Sequence, residues 1–275
     1  MRYLRNLAEA TKRITFLHGT VSRLLFSSPS SAQVTGVQLS DAIQIHADLT
    51  MLATGAWTPS LIDLRGRATA TGQVLMYLSL TATEQSRLGS MPVILNLSHG
   101  MFIIPPTNRV LKVARHAYGY LNPTQIRIPN GDGKAEMEVS LPLTTWDSAD
   151  AAVPPEGEQA CRAALRDIIP ALAERPFTAG RVCWYTDTPT GDFLIDYHPS
   201  YRGLFLATGG SGHGFKFLPV IGERIVDAIG GTLEEGLRKR WRWREEVGVD
   251  ACEDGSRGGK PGMVLRDELG KGGKL

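Results

Sequence analysis

A glycine-rich turn in the last third of the chain has the backbone and charge features of a ligand-binding site. Residues 204–207 form an apolar run that predicts a buried strand, and apolar side chains recur at helical spacing from residue 220. Between them lie Gly209, Gly210, Ser211, Gly212, His213, Gly214, Phe215 and Lys216. Glycines let a backbone approach a ligand closely, and a helix start offers unpaired N–H groups and a positive dipole end. The pattern therefore predicts a site for a polyanionic or electron-rich ligand.

Lysine side chains at two places could supply charge to such a site. Lys216 stands where the loop becomes a helix, so its charge adds to the positive helix end and suits a carboxylate. In the run 110–116, strand alternation places Lys112 and His116 on one face. Alternation alone lets Lys112 face either water or a pocket, where a fixed ammonium would stabilise a developing anion. His213, between two glycines, could act as a general base or shape the loop.

The cysteines are few and widely spaced. Cys161, Cys183 and Cys252 are odd in number and show no disulfide framework or zinc spacing, which indicates a reducing compartment. Cys161 falls on the apolar face of a predicted helix and is expected in the core. Cys183 lies in a strand next to turn residues, where it is either a core residue or a functional thiol.

Composition excludes several classes of protein. The formal net charge of +2 gives no bulk electrostatic argument for nucleic acid, and no apolar run is long enough for a membrane span. The run 238–244 mixes arginines and tryptophans; a helix end whose tryptophans cover the core is favoured over a nucleic-acid patch. The ending Gly-Lys-Leu resembles the peroxisomal address Ser-Lys-Leu, so a cytoplasmic or peroxisomal location is expected.

Around these residues the pattern predicts short strands and few helices. Helical spacing covers residues 2–13 and 157–173. Strands are predicted at 14–18, 21–26, 33–39, 43–47, 49–53, 74–80, 93–97, 101–104, 109–114, 182–186 and 193–196. Turn residues at 27–31, 105–108 and 188–191 predict three hairpins. Residues 129–138 predict a loop, and residues 247–275 a surface-wrapping or disordered tail.

Several segments occur in a distinctive order. They read Cys183-Trp-Tyr-Thr-Asp-Thr-Pro189, Asp192-Phe-Leu-Ile-Asp196, His198-Pro and Ala207-Thr-Gly-Gly-Ser-Gly-His-Gly-Phe-Lys216. Together they resemble the C-terminal half of flavin-dependent amine oxidases of the sarcosine oxidase group, which includes fungal fructosyl amino acid, saccharopine and pipecolate oxidases. Leu52-Ala-Thr-Gly-Ala-Trp57 is similar to that family's second flavin-contacting segment, and Trp241-Arg-Trp243 to its fungal branch.

The resemblance implies a role for each matching residue. Cys183 matches a cysteine joined to the flavin by a thioether, and Tyr185 and His116 match residues of the substrate pocket. Lys216 matches the lysine that pairs with the substrate carboxylate. Lys112 matches the lysine that lies near flavin N5 and activates oxygen.

The same resemblance implies the cofactor, FAD, and the reaction. The turn with Gly55 and Trp57, and the loop from Gly209 to Phe215, would contact the FAD. The substrate would be a secondary amine or N-substituted amino acid, oxidised at its C–N bond while O2 becomes hydrogen peroxide. No metal, nucleic acid or membrane is implied.

The implied fold class is α+β (mixed α/β), with an FAD-binding domain of the glutathione-reductase type and an antiparallel-sheet substrate domain. Residues 1–65 and 181–246 would belong to the FAD-binding domain, 66–180 to the substrate domain, and 247–275 to the tail. The family's Gly-x-Gly-x-x-Gly turn for the pyrophosphate has no counterpart in these residues. We therefore expect an N-terminally shortened member, whose FAD-binding domain a partner chain could complete.

Two functions from different classes stay open. The first is an amine oxidase that acts with FAD, and the second is a non-catalytic or partner-dependent protein that keeps the substrate-domain scaffold. A nicotinamide-binding reductase is a third, but the spacing Gly-Gly-Ser-Gly-His-Gly argues against it.

Overall fold

The computed structural model describes residues 2–28, 31–127, 136–144, 152–245 and 255–271. Its α-helices are α1 (Arg2–Ala10), α2 (Ala82–Leu88), α3 (Pro155–Ile168), α4 (Leu218–Ile229), α5 (Glu235–Trp241) and α6 (Leu265–Gly270). Short 3-10 helices cover Gly55–Ser60, Pro170–Leu172 and Gly214–Phe217. The strands are β1 (Val21–Phe26), β2 (Val34–Leu39), β3 (Gln44–His46), β4 (Thr50–Leu52), β5 (Thr69–Ser79), β6 (Ile94–Asn96), β7 (Met101–Thr107), β8 (Val110–Arg115), β9 (Pro123–Arg127), β10 (Glu136–Ser140), β11 (Ala179–Asp187), β12 (Leu194–Tyr197) and β13 (Leu204–Thr208).

A five-stranded antiparallel sheet in the order β11-β5-β8-β7-β6 forms the largest layer. One face of this central sheet packs against α3, whose buried residues include Cys161, Ala164 and Leu165. The facing strands contribute Val74 and Val113 to the same core. The alternation of apolar residues along the strands thus leaves the opposite face free to carry polar side chains.

A second sheet, in the order β12-β13-β4, joins parts of the chain that are far apart in sequence. Strands β12 and β13 are antiparallel, whereas β13 and β4 are parallel, with Leu206 opposite Leu52. The predicted hairpin of 182–186 with 193–196 is wrong, because β11 pairs with β5 and β12 pairs with β13. The turn between them carries the chain from one sheet to the other.

Most other predicted elements are found, with three local differences. The helix at the start ends at Ala10, because Lys12 adopts a positive φ of 55°. Residues 14–18 are exposed and form no strand. Part of the loop predicted at 129–138 lies outside the described residues, while Glu136–Ser140 is a strand paired with β9.

The C-terminal segment differs most from expectation. Residues 246–254 and 272–275 lie outside the described part, but residues 255–271 pack on the central sheet. Backbone bridges join Gly258 to Ala117 and Val264 to Leu121, and Leu265 is buried. The expectation of disorder is therefore wrong for 255–271, and the surface-wrapping alternative describes them. Few apolar residues anchor this segment, so hydropathy gave no signal for it.

The predicted α+β, mixed α/β class is confirmed. The predicted core positions of Cys161, Trp241 and Trp243 are confirmed as well, since all three side chains are buried. Among the helices of the described residues, none has the length and apolar character needed to cross a membrane.

Candidate active site on the open sheet face

The face of the central sheet opposite α3 gathers four of the predicted site residues. Residues directly opposite in a ladder share a face. Lys112 lies opposite Tyr77 and Cys183 opposite Gln73, and both partners belong to the same side of β5. Tyr185 follows Cys183 by two positions and therefore shares that face. The His116 ring lies 5.8 Å from the Tyr185 ring, centroid to centroid, which completes the group.

Lys112 occupies a partly apolar environment. Its ammonium is half-buried and lies 5.4 Å from the centroid of the Phe102 ring. Burial lowers the pKa of Lys112, the nearby Cys183 acts in the opposite direction, and Arg181 lowers it further. Lys112 is thus half-buried on the face opposite α3, and its role in a substrate pocket stays a prediction. A poorly hydrated cation at this place interacts strongly with a neighbouring negative charge.

Tyr185 and Cys183 differ in their surroundings, although they lie on one strand. Burial, reinforced by the carboxylate of Asp187, raises the pKa of Tyr185 to about 12. The phenol therefore stays protonated at neutral pH and can donate a hydrogen bond. The Cys183 thiol is free and exposed, whereas Cys161 is free and buried on the far side of the sheet. Of these two cysteines, Cys183 is the one that a ligand can reach.

The glycine loop is clamped against β11. Gly209, Ser211 and Gly212 have positive φ angles of 72°, 46° and 76°. A Cβ on Gly212 would lie 2.5 Å from Cε2 of Tyr185, so only glycine fits this close approach. The amide of Ser211 donates to the carbonyl of Thr186 at 2.9 Å, and the side chain of Ser211 is 1% exposed.

Several backbone amides of the loop are already used within the protein. The amides of His213 and Gly214 both donate to the carbonyl of Gly210 at 2.9 Å. Within the described residues, the amides of Gly210 and Gly212 have no internal acceptor. A Cβ on Gly210 would meet nothing within 4 Å, so this side of the loop is open. Gly210 and Gly212 are thus the loop positions left for a ligand.

The predicted turn around Gly55 lies beside this loop. The hydroxyl of Thr58 donates to the carbonyl of Gly55 at 2.7 Å and lies 3.2 Å from the hydroxyl of Thr208 at the end of β13. Gly55 has a positive φ of 53°, and a Cβ there would lie 3.8 Å from Oγ1 of Thr186. Trp57 in this turn is half exposed. The two predicted cofactor-contacting segments therefore meet at β11.

The residues at the end of the glycine loop have different surroundings from Gly210 and Gly212 at its centre. Nε2 of His213 lies 2.8 Å from the carbonyl oxygen of Gly191, and its ring packs 5.1 Å from that of Phe193, so this histidine shapes the loop. Phe215 is 77% exposed. The ammonium of the exposed Lys216 lies 5.2 Å from the Phe217 ring. Among the described contacts, none joins Lys216 to the group around Lys112.

Sequence reasoning missed a polar cluster next to this group. Hydrogen bonds join Asp187, Thr71, Gln73 and Arg257, and Thr71 lies directly opposite Tyr185 in the strand ladder. Strand alternation could have placed Asp187 on the face of Tyr185. No pattern marked Arg257, which lies in the segment predicted as a tail. Within the described residues, no three His, Cys, Asp or Glu side chains come together as for a metal ion.

Comparison with known proteins identifies the class to which this fold and site belong. Residues 1–228 match the family described as FAD dependent oxidoreductase (DAO), and the chain belongs to that family. The predicted membership is thereby confirmed, and FAD is the cofactor that defines the family.

Two oxidases from fungi are similar to this chain over most of its length. The amino acid oxidase imqH of Aspergillus flavus is 35% identical over 259 residues, which cover 83% of this chain and 54% of that protein. L-saccharopine oxidase of Schizosaccharomyces pombe is 32% identical over 211 residues, which cover 76% of this chain and 47% of that protein. The chain thus spans about half the length of these relatives.

Solved structures of two oxidases share the fold of this chain. Fructosyl peptide oxidase from E. terrenum superposes with a TM-score of 0.83 at 28% identity, over 95% of this chain and 59% of the other. The fructosamine oxidase Amadoriase II from Aspergillus fumigatus gives 0.77 at 31% identity, over 90% and 57%.

Proposed function

We propose that this chain provides the substrate-facing sheet and the flavin-contacting segments of an FAD-dependent amine oxidase. The reaction is oxidation of the C–N bond of a secondary amine or N-substituted amino acid, with O2 as the acceptor and hydrogen peroxide as a product. The observation that carries the proposal is the placement of Lys112, Cys183 and Tyr185 on one open face, beside the glycine loop. Family membership supplies the class of chemistry.

The residues present fit the isoalloxazine end of FAD. The chemistry that bound FAD would supply is hydride acceptance and electron transfer to O2. The exposed thiol of Cys183 would hold it through a thioether. The free amides of Gly210 and Gly212 and the turn with Gly55 would hold its polar edge.

Lys112 would hold positive charge where O2 is reduced. O2 reduction develops superoxide-like negative charge, which a preorganised ammonium stabilises without reorganisation of solvent. Half-burial against Phe102 makes this interaction stronger than it would be in water. In this role Lys112 acts on the oxidative half-reaction and leaves the reductive one largely unchanged.

Tyr185 and His116 would orient the amine. The Tyr185 phenol, protonated because its pKa is about 12, donates a hydrogen bond to an acceptor on the substrate. The ring of His116 forms the neighbouring wall. Lys216 would pair with the substrate carboxylate from the exposed end of the glycine loop.

The relatives support an amino acid as the substrate. These relatives are an amino acid oxidase, an L-saccharopine oxidase and a fructosyl peptide oxidase. The substrate proposed for this chain is an N-substituted amino acid. A carboxylate near Lys216 and a substituted nitrogen near Tyr185 suit this class of substrate.

Completion of the FAD-binding domain by further polypeptide is part of the proposal. Among the described strands, β4 is at the sheet edge, and its pairing with β13 is parallel. Met51 in β4 and Trp57 in the turn that follows it are exposed apolar side chains. A partner chain that adds a parallel strand beside β4 would satisfy the open edge. A protein that keeps this scaffold without binding FAD is the alternative.

The retention of flavin tests the proposal. Purified protein is expected to be yellow and to keep flavin after acid precipitation, and Cys183→Ala is expected to lose the acid-stable flavin. Cys161→Ala is the matched control, because this thiol is buried on the other side of the sheet. Protein that is colourless and gains no flavin absorbance when FAD is added would favour the scaffold alternative.

The cellular location stays a prediction. The curated relatives include peroxisomal sarcosine oxidases of mouse and human. The Gly-Lys-Leu ending lies outside the described residues. A fluorescent fusion that carries residues 255–275 at its C-terminus, compared with one that lacks 273–275, would decide between peroxisome and cytoplasm.

A further inference from the structure

The C-terminal segment runs beside the part of the chain that carries His116. The amide of Gly258 donates to the carbonyl of His116 at 2.8 Å, and the amide of Tyr118 donates to the carbonyl of Gly258 at 3.1 Å. Further along, the amide of Leu121 donates to the carbonyl of Met263 at 2.8 Å. The segment therefore adds backbone pairing to residues 116–121.

Arg257 anchors this segment to the strand that carries Tyr185. Its guanidinium makes two hydrogen bonds of 2.9 Å to the carboxylate of Asp187 and one of 3.0 Å to the carbonyl of Ala117. The Arg257 side chain is 4% exposed and that of Asp187 is 13% exposed. A bidentate pair in this buried setting fixes distance and orientation more firmly than a surface ion pair.

A closed ring of hydrogen bonds results. The hydroxyl of Thr71 donates to Asp187 at 2.5 Å, and the side-chain amide of Gln73 donates to Thr71 at 3.1 Å. The amide of Ala117 donates to the side-chain oxygen of Gln73 at 2.8 Å. Arg257 closes the ring by joining the carbonyl of Ala117 to Asp187.

The ring ties together the backbones on which the two aromatic site residues stand. His116 precedes Ala117 directly, and Tyr185 is two positions before Asp187 on the same strand face. We propose that Arg257 is a positioning residue that sets the separation of His116 and Tyr185, so that the C-terminal segment is part of the substrate site. The inference deepens the proposed function and rests on it for the role of the pocket.

Glycine at 258 makes this placement possible. A Cβ on Gly258 would lie 1.8 Å from the carbonyl oxygen of His99, so no other residue allows the segment to lie this close to the sheet. Gly100 has the same property from the other side, because a Cβ there would lie 2.0 Å from the carbonyl oxygen of His116. Because both positions are glycine, the backbone of the C-terminal segment can lie against the backbone of His116 and form a hydrogen bond to it.

The test compares Arg257→Gln with Arg266→Gln in the full chain. Arg266 lies in the same segment, but its side chain is 78% exposed, so its loss removes charge without touching the ring. The measurements are the NMR signals of the His116 ring and the hydrogen exchange of the Tyr118 amide. Neither needs flavin or turnover, so they stay informative if FAD binding fails.

Arg257→Gln is expected to move the His116 ring signals, since the Tyr185 ring shifts relative to them. It should also speed exchange of the Tyr118 amide about tenfold or more, while Arg266→Gln changes neither. Ring signals and exchange equal to those of the unaltered chain would overturn the proposal. Loss of stability with unmoved ring signals would also overturn it, because the segment would then be a structural support alone.

A second variant decides the matter if Arg257→Gln does not fold. Arg257→Lys keeps the charge but cannot make the bidentate contact. This variant is expected to fold. The His116 ring signals should move and exchange of the Tyr118 amide should be faster, but both changes should be smaller than in Arg257→Gln. Unchanged signals in a folded Arg257→Lys variant would refute the positioning role.

Discussion

The close approach of the glycine loop to Tyr185 leads to a sharp prediction for Gly212→Ala. Gly212 has φ of +76°, and a Cβ added there would lie 2.5 Å from Cε2 of Tyr185. Either the loop must move away from β11 or the Tyr185 ring must turn. Both changes disturb the face on which Cys183 and His116 lie.

The magnitude follows from two terms. A left-handed conformation costs a residue with a Cβ about 1–2 kcal/mol. Forcing an extra methyl group into a close-packed contact costs about 1–3 kcal/mol. The free energy of unfolding should therefore fall by about 2–5 kcal/mol, which at about 2 °C per kcal/mol for a chain of this size lowers Tm by about 4–10 °C.

Gly210→Ala is the matched control in the same loop. Its Cβ would meet nothing within 4 Å, and its φ is not in the left-handed region. The substitution should be neutral or slightly stabilising, since it restricts the unfolded chain. Urea unfolding of both variants, followed by circular dichroism, measures the difference. Equal unfolding free energies, within about 0.5 kcal/mol, would refute the steric reasoning.

Three further predictions concern charge. Lys112→Met should slow reoxidation of reduced flavin by O2 about a hundredfold and substrate reduction far less, measured by stopped flow; equal slowing of both would contradict the role of Lys112. Burial and two nearby arginines lower the pKa of His198 to about 4, so between pH 6.5 and 4 the unfolded chain takes up a proton that the folded one does not. Unfolding free energy should fall by up to about 3 kcal/mol as the pH drops through this window, and His198→Gln should remove that dependence; an unchanged slope would argue against it. Glu156→Gln should cost about 3 kcal/mol in urea unfolding, because it breaks the bidentate pair with the buried Arg115, whereas the exposed Glu158→Gln should cost nothing measurable.

The spacing of apolar residues over a few positions predicted most of the strands and helices. Apolar alternation located the strands around Lys112, because one of their faces packs on α3. Helical spacing of apolar residues placed Cys161 on the buried face of α3. The strand pairing of 182–186 with 193–196 was mispredicted, since proximity in sequence favours a hairpin while burial favours pairing with β5.

The candidate site was predictable only where local chemistry marked it. Glycine spacing identified the loop around Gly212, and alternation paired Cys183 with Tyr185. Alternation could not tell which face of the strand with Lys112 was covered. That question was answered by the packing of α3 against the other face.

By itself, the sequence determined the backbone freedom at the glycine loop, the facing of side chains along each strand and the membership of the family. These depend on residue type and spacing over a few positions. Only the tertiary structure decided that Arg257, seventy residues beyond Asp187, closes a ring of hydrogen bonds next to Tyr185. Such a contact depends on how distant segments pack, and a single buried arginine among glycines and charged residues leaves no periodic signal by which it could be found.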